Sequence, residues 1–359
     1  METKFGLLTF YTFVDIADPH AEVAQHKQFL EDIGIKGRIY IGEEGISATV
    51  TGNRWQLQAY RRYLANSPYF QHIPDIDTKA TYVDTHEFDK LIVRYREEIV
   101  ALGKKVTAQQ VATADRQIPI DEFKRIVETQ DPEWAILDMR NDYERQVGHF
   151  KWAIPAGTVN FREVPDLLAK YQEKLKDKKV AMYCTWGIRC EKLSVLLKDS
   201  WLTNFRALNG GVVKYTNTHN DGNWLGNLYT FDGRVSCPIG DETTHTPIGE
   251  CIYTGVKTDN CENCRYSPCN ARIIADPKAY RKHRGFCSQE CATKAQQDML
   301  VKNIDRDKFD YKALRSQVKV DPTKKEEFIQ QVASHIRKKL IHRTFLHATP
   351  QKEQVLIDW

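Results

Sequence analysis

The stretch AMYCTWGIRCEKLSVLL, residues 181–197, places a cysteine at the end of an apolar run. A short loop, an arginine, a second cysteine and a helix-like segment follow. A strand that passes through a tight loop straight into a helix is half of a β-α-β unit. The segments around it carry the same pattern. EWAILDMR (133–140) and NFRALNG (204–210) read as further short strands. DEFKRIVETQ (121–130), VPDLLAKYQEKLKD (164–177) and CEKLSVLLKDSW (190–201) read as helices. This alternation predicts a mainly parallel sheet, covered on both faces, over residues 118–228. Its site is expected at the strand C-terminal ends, where Cys184 lies.

Residues 1–100 read as a small ferredoxin-like α+β domain. FGLLTFYTF (5–13) is a β-rich run, and DPHAEVAQHKQFLEDIG (18–34) has apolar residues at helical spacing with Gly34 as its stop. GRIYIGEEGISATVTG (37–52) predicts a hairpin, and NRWQLQAYRRYLANSP (53–68) a helix capped by Asn53. KATYVDT (79–85) and KLIVRYREEIV (90–100) supply further strands. Strand, helix, hairpin, helix, strand is the ferredoxin-like order. Residues 101–117 read as a linker, 229–300 as a cysteine-rich region, and 301–359 as a charged, partly helical tail.

The chain has 359 residues, a formal net charge of +4 and nine cysteines. No run of eighteen apolar residues occurs, so no membrane span is expected. METKFGLLTFYTF lacks a cleavage-type small-residue site, and a cytoplasmic protein is expected. Thiols stay reduced there, so the cysteines read first as catalytic or metal-binding groups. With so small a net charge, any nucleic-acid surface must come from local clusters. RKHRG (281–285) and HIRKKLIHR (335–343) are such clusters, and Arg61 and Arg62 beside Tyr60 and Tyr63 form a weaker one.

Thr185, Trp186, Gly187 and Ile188 separate Cys184 from Arg189. A loop this tight can aim several backbone N–H groups at one point. Those donors, the helix N-terminus and Arg189 should lower the thiol pKa of Cys184 and make it reactive near neutral pH. Cys190 either resolves an oxidised Cys184 or packs on the sheet.

LDMRNDYERQVGHFKWAIP (137–155), with CTWGIRC (184–190) and LNGG (208–211), closely resembles the rhodanese domain. Asp138, Arg140, Glu144, Gly148, His149, Phe150 and Ala153 match its motif, and Gly210 and Gly211 match its glycine pair. The resemblance implies that Cys184 is the persulfide-carrying cysteine and adds Asp138 and Arg140 to the catalytic group. Phosphatases that share this fold have one residue more between cysteine and arginine. The shorter loop suits a sulfur atom or a small oxyanion. The three-part layout and the loop MYCTWGIRCEK further resemble the bacterial tRNA uridine hydroxylase family, formerly classed as rhodanese-related sulfurtransferases. That loop departs from the family's YCTGGIRCEK at Trp186, which either narrows the pocket, stacks on a base, or sits at the rim.

The family resemblance implies oxygen-dependent 5-hydroxylation of the wobble uridine, with tRNA and dioxygen as partners. The sequence carries neither a two-histidine-one-carboxylate set nor a Gly-x-Gly-x-x-Gly fingerprint, so no organic cofactor is evident. The alternative is a thiosulfate or persulfide sulfurtransferase working through a Cys184 persulfide. A third reading is a zinc-stabilised RNA-binding protein with no activity, against which intact Cys184 and Arg189 count.

CENC (261–264) and GFCSQEC (285–291) pair a C-x2-C with a C-x3-C. This spacing predicts a structural zinc on Cys261, Cys264, Cys287 and Cys291. Cys251 and Cys269 are left over or are alternative ligands. A metal-free thiol cluster is the competing reading.

Overall fold

The structure, a computed structural model, describes residues 5–71, 86–219, 222–239 and 246–305. The strand expected at 79–85, the basic run at 335–343 and nearly all of the tail lie outside them. The chain divides into two compact units, residues 1–262 with 272–279, and residues 263–271 with 280–359.

In the first unit, β1 (Phe5–Phe13), α1 (Pro19–Asp32), β2 (Lys36–Gly42), β3 (Gly45–Asn53), α2 (Arg54–Ala65) and β4 (Leu91–Tyr95) form the N-terminal domain. The sheet order is β1-β3-β2-β4. β3 lies antiparallel between β1 and β2, which is the split β-α-β of a ferredoxin-like fold. β4 runs parallel to β2 on its outer side. Asn53 caps α2 with a reciprocal capping box to Gln56. Period-two alternation turns Leu8, Phe10, Ile39, Ile41, Ile46, Ala48 and Val50 into the core under the helices. It leaves Thr9, Tyr11, Arg38, Tyr40, Ser47 and Thr49 on the opposite face.

The next stretch holds α3 (Ala108–Ala114), β5 (Gln117–Ile118), α4 (Ile120–Thr129), β6 (Trp134–Asp138), α5 (Asp142–Val147), β7 (Gly148–Phe150), β8 (Ile154–Pro155), α6 (Val164–Lys170), α7 (Gln172–Leu175), β9 (Lys179–Tyr183), α8 (Ile188–Leu197), β10 (Phe205–Leu208) and α9 (Gly211–Thr218). The sheet order is β5-β10-β9-β6-β8, and every pairing in it is parallel. Both faces are covered, as the apolar strands require. Val180 and Met182 pack with α6, α7 and α8 on one face. Ala181 and Tyr183 pack with α4 and α9 on the other. Cys184 continues the first of these rows.

β11 (Trp224–Gly226) pairs with β7, and β12 (Leu228–Tyr229) with β13 (Ser236–Cys237). β14 (Cys261–Asn263), β15 (Arg272–Ile274), α10 (Pro277–Lys282) and α11 (Gln289–Asp305) follow.

Residues 101–117, expected to link the two domains, are not a bare linker. They include α3, whose Val111 and Ala114 pack against Val195 of α8. The N-terminal domain is tied to α8 at a buried charge cluster. Lys192 is fully buried, and its Nζ donates to Glu44 Oε1 and Oε2 (2.8 and 2.9 Å), Glu98 Oε2 (2.8 Å) and the Val100 carbonyl (2.8 Å). Glu44, in the β2–β3 turn, also accepts from the Ile99 and Val106 N–H groups. Removing one partner of such a cluster leaves a buried charge uncompensated. Lys192→Met is therefore expected to lower unfolding stability by about 3–5 kcal/mol, read as a fall in the denaturant midpoint.

Candidate active site

Cys184 leaves β9 with no solvent exposure. The loop after it turns at Gly187 (φ +102°), and α8 begins at Ile188. The Gly187 N–H donates to the Cys184 sulfur at 3.1 Å. A side chain at Gly187 would strike the Tyr11 hydroxyl, with its Cβ 2.7 Å away. A Cβ on Gly211 (φ +64°) would lie 2.6 Å from the Cys184 carbonyl and 2.8 Å from the Gly187 nitrogen. These glycines let the chain close around the sulfur.

Burial by itself would push the Cys184 thiol up. The Cys190 thiol donating to it, the charge of Arg189 and the N–H groups of Cys190 and Arg189 outweigh that, and the thiol falls to about 5. Cys190 moves the other way, pushed well up by burial and by donation to Cys184. The pair is therefore a thiolate beside a protonated thiol, so the helix does not turn Cys190 away.

Arg189 lowers the Cys184 thiol, as its position suggests, but it does so from a distance. Its guanidinium does not cradle the sulfur; it forks onto Glu144, Nη1 to Oε2 at 2.6 Å and Nη2 to Oε1 at 2.7 Å. Nη2 also donates to Thr185 Oγ1 (3.0 Å), whose hydroxyl donates to Glu144 (3.1 Å). Arg189 thus reaches the thiolate through its charge alone. Glu144, recognised in sequence only as a motif residue, is fully buried and fixes the loop.

Asp138 and Arg140, placed with the catalytic group, form a buried brace. Arg140 Nε and Nη2 donate to the two Asp138 oxygens at 2.9 and 2.6 Å, and Nη2 also donates to the Gly148 carbonyl. Tyr183 Oη donates to Asp138 as well. Both side chains are at most 1 % exposed, and neither lines the cavity above the cysteine loop. The reason is geometric: Asp138 ends β6, and its carboxylate meets Arg140 two residues on.

Above the loop lies a cavity of about 660 Å³. Thr185, Trp186, Ile188 and Arg189 form one wall, and the outward face of the N-terminal sheet, with Tyr11, Arg38 and Tyr40, forms another. Cys184 does not line it. Although it lies at a strand C-terminal end where the site was expected, strand alternation turns Cys184 inward, and its loop lies toward the cavity. Tyr60, counted beside Arg61 and Arg62 in the weaker patch, is fully buried in the N-terminal core. The run at 281–284 is exposed.

The second unit gathers Cys264, Cys269, Cys287 and Cys291, whose sulfurs lie within 4.8 Å of one another and could hold a metal ion. Cys269 replaces the expected Cys261. Cys261 begins β14 and turns into a small core with Val147, Tyr229 and Ile274, where burial pushes its thiol up to about 11. Cys251 also lies outside the cluster.

Because the folded Cys184 pKa lies below its ordinary value of 9.0, ionisation stabilises the native state fully above that value. The contribution shrinks as pH falls and is gone below about 5. Ultraviolet thiolate absorbance, taken as wild type minus Cys184→Ser, is expected to titrate with that midpoint. The stability difference between the two proteins should narrow over the same range.

Three families of domain match the chain: a UPF0176 acylphosphatase like domain over residues 5–99, a rhodanese-like domain over 120–218, and a rhodanase C-terminal region over 225–292. A tRNA uridine(34) hydroxylase of Bacillus velezensis is 35% identical, covering 85% of this chain and 93% of its own. One of Chlamydia pneumoniae is 34% identical, over 81% and 89% of the two chains. One of Listeria monocytogenes is 33% identical, over 86% and 95%. Similarity of this extent, over more than four fifths of both chains, shows that the chain belongs to the tRNA uridine(34) hydroxylase family.

Proposed function

We propose that this chain hydroxylates C5 of the wobble uridine in tRNA, with Cys184 as the reacting group and dioxygen as the oxidant. The observation that carries this reading is the cavity. Its volume of about 660 Å³ is that of a small-molecule site, and ample for a flipped-out nucleotide. Tyr11, Tyr40, Trp186, Phe161 and Phe231 offer ring faces for a base. Thr9, Ser47 and Thr49 offer hydroxyls for its carbonyl and imide edges, and Arg38 and Arg162 offer charge to phosphates.

Thiolate addition to uracil C6 would place the ring's electron density on C5, the carbon that takes oxygen. Reaching C6 requires the loop at 185–188 to swing so that the sulfur enters the cavity. One oxygen atom of dioxygen would go to C5 and the other leave as water, with the two electrons and two protons supplied by Cys184 and Cys190, held as a thiol beside it, as the pair closes to a disulfide. A sulfurtransferase would need only a pocket for a small sulfur donor, and the broad aromatic cavity favours the RNA reading over it.

We assign zinc to the cluster of Cys264, Cys269, Cys287 and Cys291. Tetrahedral zinc with bonds of about 2.3 Å separates its sulfurs by about 3.8 Å. Cys269–Cys287 and Cys287–Cys291 sulfur separations are 3.7 and 3.5 Å. Four thiolates leave no open position, so the metal would be structural.

Nucleoside mass spectrometry of tRNA from cells lacking the gene tests the function. Wild type is expected to restore 5-hydroxyuridine-type wobble nucleosides, and Cys184→Ser is not; rescue by Cys184→Ser would refute the assignment. A C5-substituted uridine RNA should trap a covalent adduct on Cys184. Metal analysis of reduced protein should find equimolar zinc, lowered by Cys269→Ser and retained in Cys261→Ser.

A further inference from the structure

Tyr11 belongs to the N-terminal domain, yet its hydroxyl sits against the cysteine loop. It lies 3.2 Å from the Trp186 carbonyl oxygen and 2.5 Å from Glu191 Oε1. The Trp186 carbonyl and the Gly187 N–H are two ends of one peptide plane, pointing in opposite directions. The N–H end donates to the Cys184 sulfur. A group that holds the carbonyl end therefore aims the N–H end. Gly187 makes this hold necessary, since glycine at φ +102° gives the plane freedom to turn over. A reversed plane would set a carbonyl oxygen against a thiolate.

Tyrosine carries one O–H proton, and two acceptor oxygens lie beside it. With Glu191 ionised, that proton goes to the carboxylate at 2.5 Å, and the Trp186 carbonyl loses its donor. With Glu191 protonated, the carboxyl donates to the Tyr11 oxygen and the tyrosine proton is free for the carbonyl. Only the protonated arrangement satisfies all three groups.

We propose that Tyr11 is a positioning residue for the cysteine loop: it pins the Trp186–Gly187 peptide so that its N–H meets the Cys184 sulfur, and the proton on Glu191 decides whether the pin is set. The groups facing Glu191 are Tyr11 on β1, Asp115 at the end of α3, and Cys184 and Cys190 on the loop and helix. Burial, then the charges of Asp115 and Cys184, push Glu191 up to about 7 against the opposing pull of Tyr11. The pin is thus set below that pH and released above it. The inference rests on Cys184 as the reacting group, but its test needs no RNA, so it can fail while the tRNA reading stands.

The test follows the Cys184 thiolate absorbance against pH in wild type, Tyr11→Phe and Glu191→Gln, each corrected by its Cys184→Ser counterpart. Tyr11→Phe is expected to raise the midpoint by about one pH unit, the scale of one hydrogen bond to a charged group. Glu191→Gln is expected to keep the wild-type midpoint, because its amide donates to Tyr11 as the protonated carboxyl does. The Gly187 amide resonance should step with pH at the Glu191 titration in wild type and lose that step in Glu191→Gln. A wild-type midpoint in Tyr11→Phe, or the same rise in Glu191→Gln, overturns the proposal. If Tyr11→Phe does not fold, a Gly187 amide with no step in wild type overturns it alone.

Discussion

A negative sulfur with no contact with water is the constraint on which the site depends. Removing a charge from solvent is unfavourable unless donors replace the water it loses. Around Cys184 those donors are a peptide N–H, a neighbouring thiol and the first turn of α8. Arg189 contributes its charge from a distance, because Glu144 holds its fork. Glu144 in turn answers to Thr185, so one buried carboxylate ties the first loop residue to the arginine that ends it. The Asp138–Arg140 brace supports the end of the neighbouring strand and takes no part in the cavity.

α8 serves two purposes at once. Its N-terminus shapes the cysteine loop, while Glu191 and Lys192, at its next positions, hold the N-terminal domain through Tyr11 and Glu44. The sheet face this domain leaves outside its own core becomes a wall of the cavity. The ferredoxin-like domain is therefore part of the site in two ways. It walls the cavity above the cysteine loop, and its Tyr11 hydroxyl contacts that loop at the Trp186 carbonyl.

What the sequence revealed follows from local physics. The apolar strand leading to Cys184, helical spacing in 190–201, and the Asn53 cap depend on near neighbours and were legible. The loop motif was legible because its residues are consecutive. Tyr11 and Glu191 are 180 positions apart, and Lys192 and Glu44 are 148 apart. No pattern in one sequence announces contacts of that reach. That Arg189 forks onto Glu144 was not legible, because spacing cannot say which partner a guanidinium chooses. Spacing also chose Cys261 for the metal. A three-residue strand instead turns it into a core, and Cys269, with no C-x2-C partner, joins the cluster of sulfurs that could hold a metal.

The central claim is that residue 184 is an ionised sulfur that the loop can deliver to the cavity. Peptide mapping after brief iodoacetamide treatment of the native, reduced protein at neutral pH addresses it most directly. The account predicts label on Cys184 and none on the adjacent Cys190, since only the former is a thiolate. Label on Cys190 with Cys184 untouched, or neither modified until the protein is unfolded, would contradict it.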